Sequence, residues 1–526
     1  MIAGIALLGM TAIILSPLRV DGQTNRFWQG ASGDPWNVST NWTLGAPGFP
    51  NAPGDGALNI QTVSASTTQA TVGGVTVGTI GHDAVNVNTS WTIGTTTPIT
   101  LNNLGAGAII RNTNSSTGAS NFLSITGTGG LILADNLTIS NTGGSTASAG
   151  SIRIQTPISG TGNITVSNVS NSVTNGSGAV AFPGAVAFQG ANTFVGTTTI
   201  AKGETTFNNS KTFSAGQINL GQSGLGDASL VSTANDVNPS NSVVVAAGTG
   251  GTSLLGSSGN ATYSGLITLN GNVTLTNLNS GGGGTTSYSN TISGNGGVRV
   301  MGPGTALLSH ANTFVGSTTI DSGTLNAGAT SALGGTSSVT VNSTGTLLLS
   351  GSFTNRINDA ATLTLNGGTF KTGGLSEGSA ATGVGGAGGA VGALTLTMNA
   401  NSVVDFTNGS GSKLVFQNFS LASGTAITIA HWTGTANING SDQLLFASNP
   451  GYTLADLANV QFTTDAGTNF ARGAQLINFN GYSELVPVPE PSTWAAGILT
   501  VLALGYTQRR RLSRAFTLAS RSSRQA

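Results

Sequence analysis

The chain has 526 residues, 80 of them glycine and none of them cysteine, and only 6% of its residues are charged. Because 38% are hydrophobic and the formal net charge is zero, the composition excludes a disordered polymer, which needs low hydrophobicity and high charge. The lack of cysteine excludes disulfides as a source of stability. Residues 23–487 contain ten cationic and fifteen acidic side chains, and such a weakly acidic body argues against nucleic acid as a partner.

The first 22 residues have the pattern of a secretory signal peptide. An apolar run covers residues 2–15, and Val20-Asp21-Gly22 offers a cleavage site before Gln23. No Lys or Arg precedes the run, so the α-amino group alone supplies the usual positive charge. We therefore predict a signal peptide over 1–22 and export of the rest.

Residues 23–60 are rich in aromatic side chains, and we predict that they form an N-terminal cap. Trp28, Trp36 and Trp42 are three of the six tryptophans in the chain. Two interpretations remain open at this point. The rings seal the end of a narrow β-sheet core, as terminal coils of repeat proteins require, or they are exposed and stack on sugar rings.

Residues 61–370 alternate branched apolar residues with Thr, Ser or Asn in short runs that end at Gly or Asn. This period of two predicts strands of four or five residues, spaced about ten residues apart, as in a solenoid or a sandwich. Representative runs are ATV at 70–72, NITV at 163–166, NVTL at 272–275, SVTV at 338–341 and TLTL at 362–365.

An internal repeat distinguishes between those two folds. The sequence ANTFVGTTTI at 191–200 recurs as ANTFVGSTTI at 311–320, and an ISGxG element occurs at 158–162 and 292–296. These segments resemble the autotransporter-associated β-strand repeat, and the resemblance implies a large surface β-helix. We predict an all-β chain that forms an elongated parallel β-helix (β-solenoid) with coils of about 20 to 25 residues and with Phe194 and Phe314 facing inward. Tandem β-sandwiches are the alternative.

A Gly-rich linker or loop is predicted over 371–393, and a second β region over 394–486. Beyond it, Pro489-Glu490-Pro491 precedes an apolar run that ends at Tyr506 and is followed by Arg509, Arg510 and Arg511. Proline holds the chain extended, and the arginines would stay cytoplasmic by the positive-inside rule. We predict a short transmembrane helix at about 493–507, within a sorting segment over 487–514 and before a cytoplasmic tail over 515–526.

The arrangement of this tail resembles the PEP-CTERM sorting signal of Gram-negative bacteria. The resemblance implies recognition and cleavage by exosortase, a membrane protease. It also implies an inner-membrane intermediate that is then released to the cell surface or the medium. The residues that carry the signal are Pro489, Glu490, Pro491, Arg509, Arg510 and Arg511.

The sequence predicts no catalytic residue, no cofactor and no metal ligand. His82, His310 and His431 are far apart in sequence, and none has a second His or Cys at ligand spacing. A GxGxxG match at 383–388 lies within a glycine run without a strand before it or a helix after it. Lys202, Lys211, Asp227 and Asp236 form the only loose group of titratable residues.

Two functions of different class follow from these observations. The first is a non-enzymatic surface or matrix protein that acts in adhesion or as a scaffold and is associated with exopolysaccharide. The second is a carbohydrate-active enzyme, a polysaccharide lyase or hydrolase, on the same β-helix. Titratable side chains clustered on one face of stacked coils would favour the enzyme.

Overall fold

The computed structural model describes most of the chain in segments separated by short gaps. They are residues 24–43, 48–60, 67–71, 74–84, 89–114, 121–142, 151–168, 185–213, 215–279, 281, 283–352, 355–378, 395–399, 401–407, 411–421, 425–433, 440–464, 469–488 and 499–510. The predicted signal peptide (1–22) lies outside the described residues, as do Pro489, Glu490, Pro491 and Arg511 and most of the predicted linker. The described chain divides between Ser253 and Leu254 into two units.

The described part of the first unit consists of short strands and a 3-10 helix, Ser39–Asn41. The boundary between the units falls inside β21 (Gly250–Ser257). The strands before it are β1 (Asn25–Trp28), β2 (Trp42–Thr43), β3 (Gly56–Asn59), β4 (Thr67–Thr71), β5 (Val75–Val77), β6 (Thr79–His82), β7 (Ser90–Thr95), β8 (Ile99–Leu101), β9 (Ala108–Asn112), β10 (Phe122–Gly127), β11 (Leu131–Leu133), β12 (Leu137–Asn141), β13 (Ser151–Ile154), β14 (Ile158–Gly160), β15 (Ile164–Asn168), β16 (Val186–Phe188), β17 (Thr198–Phe207), β18 (Ile218–Leu220), β19 (Gly226–Ser232) and β20 (Val243–Val245).

The second unit continues the same kind of strand. Its strands are β22 (Ala261–Tyr263), β23 (Ile267–Leu269), β24 (Val273–Asn277), β25 (Thr285–Tyr288), β26 (Ile292–Gly294), β27 (Val298–Met301), β28 (Thr305–Leu308), β29 (Thr318–Ala327), β30 (Ser338–Leu349), β31 (Thr362–Asn366), β32 (Thr369–Lys371), β33 (Thr395–Met398), β34 (Val403–Asp405), β35 (Lys413–Phe416), β36 (Asn418–Leu421), β37 (Ile427–Ala430), β38 (Gln443–Phe446), β39 (Val460–Thr463), β40 (Asn469–Arg472), β41 (Ala474–Phe479) and β42 (Tyr482–Pro487).

The strands of the first unit stack into three parallel ladders, one for each side of a coil. One ladder runs β3, β6, β9, β12, β15, β17, β18, β20. The second runs β4, β7, β10, β13, β16, β17, β19. The third runs β5, β8, β11, β14. Strands that follow one another in sequence belong to different ladders, which is the topology of a parallel β-solenoid.

The second unit repeats this topology. One ladder runs β22, β25, β28, β29, β30, β32, β34, β37, β39. Another runs β24, β27, β29, β30, β31, β33, β36. The long strands β29 and β30 contribute to both, and the register shifts between Ile320 and Ser322 where β29 passes from one ladder to the other. The predicted parallel β-solenoid is thus confirmed, and the alternative of tandem β-sandwiches is wrong.

Coil length agrees with the prediction in part of each unit and exceeds it elsewhere, as in the second unit, where Thr362 pairs with Thr395 about 33 residues later. Val273 pairs with Val298, and Val298 with Thr318, which gives coils of about 20 to 25 residues. In the first unit Ser90 pairs with Phe122, and Phe122 with Ser151, which gives about 30. The coils are longer here because longer segments connect the strands.

Alternating side chains fill the interior of each coil. In β31 Leu363 and Leu365 are fully buried, and the Thr and Asn residues between and beside them point outward. Phe194 and Phe314 are both 0% exposed, so the predicted inward orientation of the repeated Phe is confirmed. The solenoid core is therefore a stack of Val, Ile, Leu and Phe, as the period of two predicts.

Antiparallel pairs among the described strands lie toward the two ends of the chain. They join β1 to β2, β38 to β42, β39 to β40 and β41 to β42. Chain reversals at these positions end the parallel stacking, so that the outermost strands are paired differently from the body. At 454–459 the chain forms turns.

The C-terminal helix covers residues 499–510. The helix continues through Arg510, three residues beyond the end predicted at about 507, because Thr507, Gln508, Arg509 and Arg510 include no helix breaker. Residues 493–498 lie outside the described residues. Within the described segments, the structure contains no helix with the length and apolar character needed to cross a bilayer.

Candidate functional site

Two of the six predicted sorting residues are described. Arg509 and Arg510 lie on the exposed C-terminal helix, and the guanidinium carbon of Arg510 is 4.8 Å from the centre of the Tyr506 ring. A cation held against an aromatic face in this way orders the last helical turn. Pro489, Glu490, Pro491 and Arg511 lie outside the described residues, so the sorting signal stays a prediction.

The tryptophans of the N-terminal segment pack against one another. Trp28, Trp36 and Trp42 are 3%, 0% and 6% exposed, with ring centroids 5.1 Å apart for Trp28 and Trp42 and 4.8 Å apart for Trp36 and Trp42. The indole N–H of Trp36 donates to the carbonyl of Pro50, and that of Trp42 to the carbonyl of Trp36. Stacking on a sugar requires an exposed ring face. The burial of these three rings therefore argues against a sugar-binding surface and agrees with a cap that seals the end of the core.

The repeated ANTFVG segments connect three successive coils. The Asn312 Oδ1 accepts the amide of Ile292 at 2.8 Å, and its Nδ2 donates to the carbonyl of Ala332 at 2.7 Å. Asn192 makes the equivalent bonds with Ile158 and Thr212 in the first unit. Each Asn therefore satisfies backbone groups of the coils before and after its own, and the repeat is a stacking device.

The ISGxG elements are the surfaces on which these segments stack. The amide of Val315 donates to the carbonyl of Gly294 at 3.0 Å, and the amide of Val195 to Gly160 at the same distance. Gly294 has a φ of 109°, and a Cβ there would lie 2.3 Å from the carbonyl oxygen of Leu269. Glycine is required because the chain passes too close to the previous coil for any side chain.

His82 belongs to a buried polar column of the first unit. Strand register aligns one residue from each of β3, β6, β9, β12 and β15, which are neighbours in one ladder, and all five residues are 0–1% exposed. They are Asn59, His82, Asn112, Asn141 and Asn168. The His82 Nε2 lies 3.0 Å from the carbonyl oxygen of Thr89. Burial lowers the pKa of His82, which favours the neutral ring.

The group of Lys202, Lys211, Asp227 and Asp236 does not form a site. Among the ion pairs of the described residues, none joins any two of these four side chains. Asp227 instead accepts the backbone amide of Thr252 at 2.6 Å, and Asp236 occupies an exposed turn with a φ of 59°. The described residues also include no group of three His, Cys, Asp or Glu side chains suited to a metal ion.

A titratable cluster that sequence reasoning missed lies on the second unit. Asp405 Oδ1 is 2.7 Å from His431 Nδ1, and Asp405 Oδ2 is 3.4 Å from Lys371 Nζ. The cluster forms because β32, β34 and β37 are stacked, with Lys371 directly beside Asp405 in the ladder. His431 has a φ of 53°, an uncommon conformation for a residue with a side chain. The sequence gives no hint of the cluster, because its members are separated by whole coils.

The second unit also carries a line of outward hydroxyl groups on one ladder. Registers place them in five successive strands, β29, β30, β31, β33 and β36. This hydroxyl column comprises Thr319, Thr340, Thr364, Thr397 and Ser420. All five side chains are partly or fully exposed, and no hydrogen bond from their hydroxyls to the described residues is found. Their spacing along the stack is about 4.8 Å, the distance between neighbouring strands.

A second column of amides runs beside the hydroxyl column. The side-chain N–H of Asn399 donates to Asn366, that of Asn366 to Asn342, and that of Asn342 to Asp321, at 3.3, 3.1 and 2.6 Å. These residues are two positions from the hydroxyls on the same strands, about 6.6 Å away. Asp321 also pairs with Arg299, so a charged pair ends an otherwise uncharged surface.

Comparisons of this chain with protein-family models, with curated proteins and with solved structures found no match.

Proposed function

We propose that this protein is an exported structural or adhesive protein of the cell surface or extracellular matrix, associated with exopolysaccharide. The observation that supports the proposal most directly is the uncharged hydroxyl column. Stacked coils present it as a regular surface, which suits lateral contact with another polymer better than capture of a small molecule. The Asn-mediated links between coils stabilise such a surface without disulfides.

The tail supports export and release in this proposal. Pro489-Glu490-Pro491 would be the recognition element for an exosortase-type protease. The arginines that follow the apolar run would hold the chain at the inner membrane until cleavage. The mature protein would then remain on the surface or enter the medium.

The test is to express the full chain in a Gram-negative host with and without exosortase and to determine the C-terminus of the released protein by mass spectrometry. Release should require exosortase and should remove Arg509 and Arg510. Replacement of Pro489, Glu490 and Pro491 by alanine should leave export intact and cause uncleaved protein to accumulate in the inner membrane. Release of the alanine variant with a shortened C-terminus would contradict the proposal.

The Lys371–Asp405–His431 cluster favours a second candidate, a carbohydrate-active enzyme. Asp405 would orient the imidazole through Nδ1 and leave Nε2 of His431 as a base, while Lys371 would balance negative charge on an acidic sugar. The single carboxylate does not match the carboxylate pair of most glycoside hydrolases, so a lyase is the better form of this candidate. Formation of unsaturated ends from a polyuronate, abolished in His431→Asn, would establish it. Equal products from wild type and variant would exclude this cluster as the site.

A further inference from the structure

We infer that the hydroxyl column of the second unit binds a neutral, extended polysaccharide chain aligned with the stack of coils. The inference rests on the proposed function and adds the location and the chemical class of the ligand. The column consists of Thr319, Thr340, Thr364, Thr397 and Ser420.

The chemistry of the column matches sugar hydroxyls. A Thr or Ser hydroxyl both donates and accepts a hydrogen bond, so it can pair with a sugar hydroxyl in either orientation. The five hydroxyls repeat once per coil at about 4.8 Å, a spacing comparable to the length of one pyranose ring in an extended chain. One sugar would thus lie over each coil, and successive contacts would add along the chain.

The charge of the surface selects a neutral polymer. The hydroxyl column and the adjacent Asn342, Asn366 and Asn399 carry no charge. The flanking Asp321 carboxylate forms an ion pair with Arg299 and accepts a hydrogen bond from the side-chain amide of Asn342. Along the column a polyuronate would meet only Arg299, which is in register with Thr319 and already paired with Asp321, so little positive charge would balance its carboxylates and their desolvation would oppose binding.

The amide column fixes the geometry of the surface. Each Asn is held by the next in one direction, from Asn399 to Asp321, so the amides cannot rotate independently. A surface that is already ordered loses little conformational entropy on binding. Each individual contact is weak, and affinity would come from several coils acting on one chain.

The first unit provides a matched control. Its ladder through β9, β12, β15, β17, β18 and β20 has Thr138, Thr165 and Thr199 in line outside. On one side of this row the next residue in register is Ile109. On the other side Thr199 is followed by Asn219 and then by Val244. Substitution of Thr138 and Thr165 by Val removes the same number of hydroxyls from a shorter, interrupted row.

The experiment is affinity electrophoresis of the intact chain through gels that contain hydroxyethylcellulose, a neutral β-glucan, or alginate, a polyuronate. Wild type and the Thr138→Val/Thr165→Val control should be retarded by the β-glucan and not by alginate. Thr364→Val/Thr397→Val should lower the affinity about tenfold, because two hydrogen bonds are lost while the β-branched shape is kept. Circular dichroism should show that both double variants are folded.

Absence of retardation of the wild type by the β-glucan would overturn the inference. So would tighter binding of alginate, or equal loss in both double variants. A change in oligomeric state of Thr364→Val/Thr397→Val without a change in glucan binding would identify the face as a self-contact and also overturn it. Exosortase-dependent release is measured separately, so failure here leaves the proposed function standing, and failure of release leaves glucan binding standing.

Discussion

Glu204 gives the sharpest test of how the solenoid interior responds to pH. Its side chain in β17 is 1% exposed, and neither carboxylate oxygen has a hydrogen-bond partner in the described structure. Burial raises the pKa of Glu204 from 4.5 to about 8, so the folded protein holds the neutral acid at neutral pH. The unfolded chain would ionise at the ordinary pKa. The contribution of Glu204 to the free energy of unfolding is therefore fully present below about pH 4.5, and it is lost as the pH rises toward about 8.

The size of this effect follows from linkage. The pKa difference corresponds to a loss of roughly 5 kcal/mol across the whole interval, at about 1.4 kcal/mol for each pH unit. At pH 7 the loss is already about 3 kcal/mol. Glu204→Gln keeps the shape and cannot ionise. We therefore expect the variant to match the wild type within about 1 kcal/mol near pH 4.5 and to be more stable by about 3 kcal/mol at pH 7.

The assay is urea unfolding followed by circular dichroism at several pH values, with hydrogen exchange of peptides from β17 as the local readout. Asp236→Asn is the matched control, because it removes a carboxylate from an exposed turn whose positive φ Asn tolerates. A parallel decline of stability with pH in the wild type and in Glu204→Gln would refute the reasoning. Greater stabilisation by Asp236→Asn than by Glu204→Gln would refute it as well.

Three further predictions concern polar groups inside the coils. Because burial lowers the pKa of His82, the wild type should lose stability as the pH falls below about 6.5, and His82→Asn should reduce this loss in urea unfolding at pH 7 and pH 5. Asn312→Ala should cost about 2–4 kcal/mol, since it leaves an amide and a carbonyl without partners, and hydrogen exchange should rise in the two adjoining coils. Glu377→Gln should cost about 3–5 kcal/mol because it leaves the buried Arg356 guanidinium uncompensated, and a thermal melt unchanged from wild type would contradict this.

Fold class could be predicted from sequence because its signals are local. The period of two identifies strands, and the two copies of ANTFVG indicate that the strands are stacked in equivalent coils. Phe194 and Phe314 occupy equivalent buried positions because the same Asn and Gly residues around them fix the same backbone path. The longer coils of both units could not be predicted, since coil length depends on connecting segments that carry no periodic pattern.

The clusters could not be predicted, because they depend on register between distant strands. Lys371, Asp405 and His431 meet only because their strands occupy neighbouring coils of one ladder. The four titratable residues that are closer in sequence, Lys202 to Asp236, face different surroundings. The arrangement of the tryptophans could not be predicted either, since the composition permits both a buried cluster and an exposed sugar-binding surface. Only the packing of Trp36 against Trp42 distinguishes these two interpretations.

The outward columns could be foreseen in part. The sequences SVTVN at 338–342, TLTLN at 362–366 and TLTMN at 395–399 place Thr and Asn at matching positions, but alignment in space depends on register. A slip of one residue would turn Leu outward and Thr inward, so the buried Leu side chains fix the register and with it the columns.

Stability alone does not account for the composition of these columns. Inward positions vary among Val, Leu, Met and Phe, because a core accepts any hydrophobic side chain of suitable volume. Outward positions of a solvated sheet accept charged residues equally well, and strand propensity explains Thr but not Asn, which is depleted in strands. The recurrence of Asn at 342, 366 and 399 is explained by the hydrogen bonds that these amides make from coil to coil. The recurrence of Thr at 340, 364 and 397, where a charged residue would serve folding equally well, keeps the face uncharged and rich in hydroxyls, and this choice supports the proposed contact with a neutral polymer.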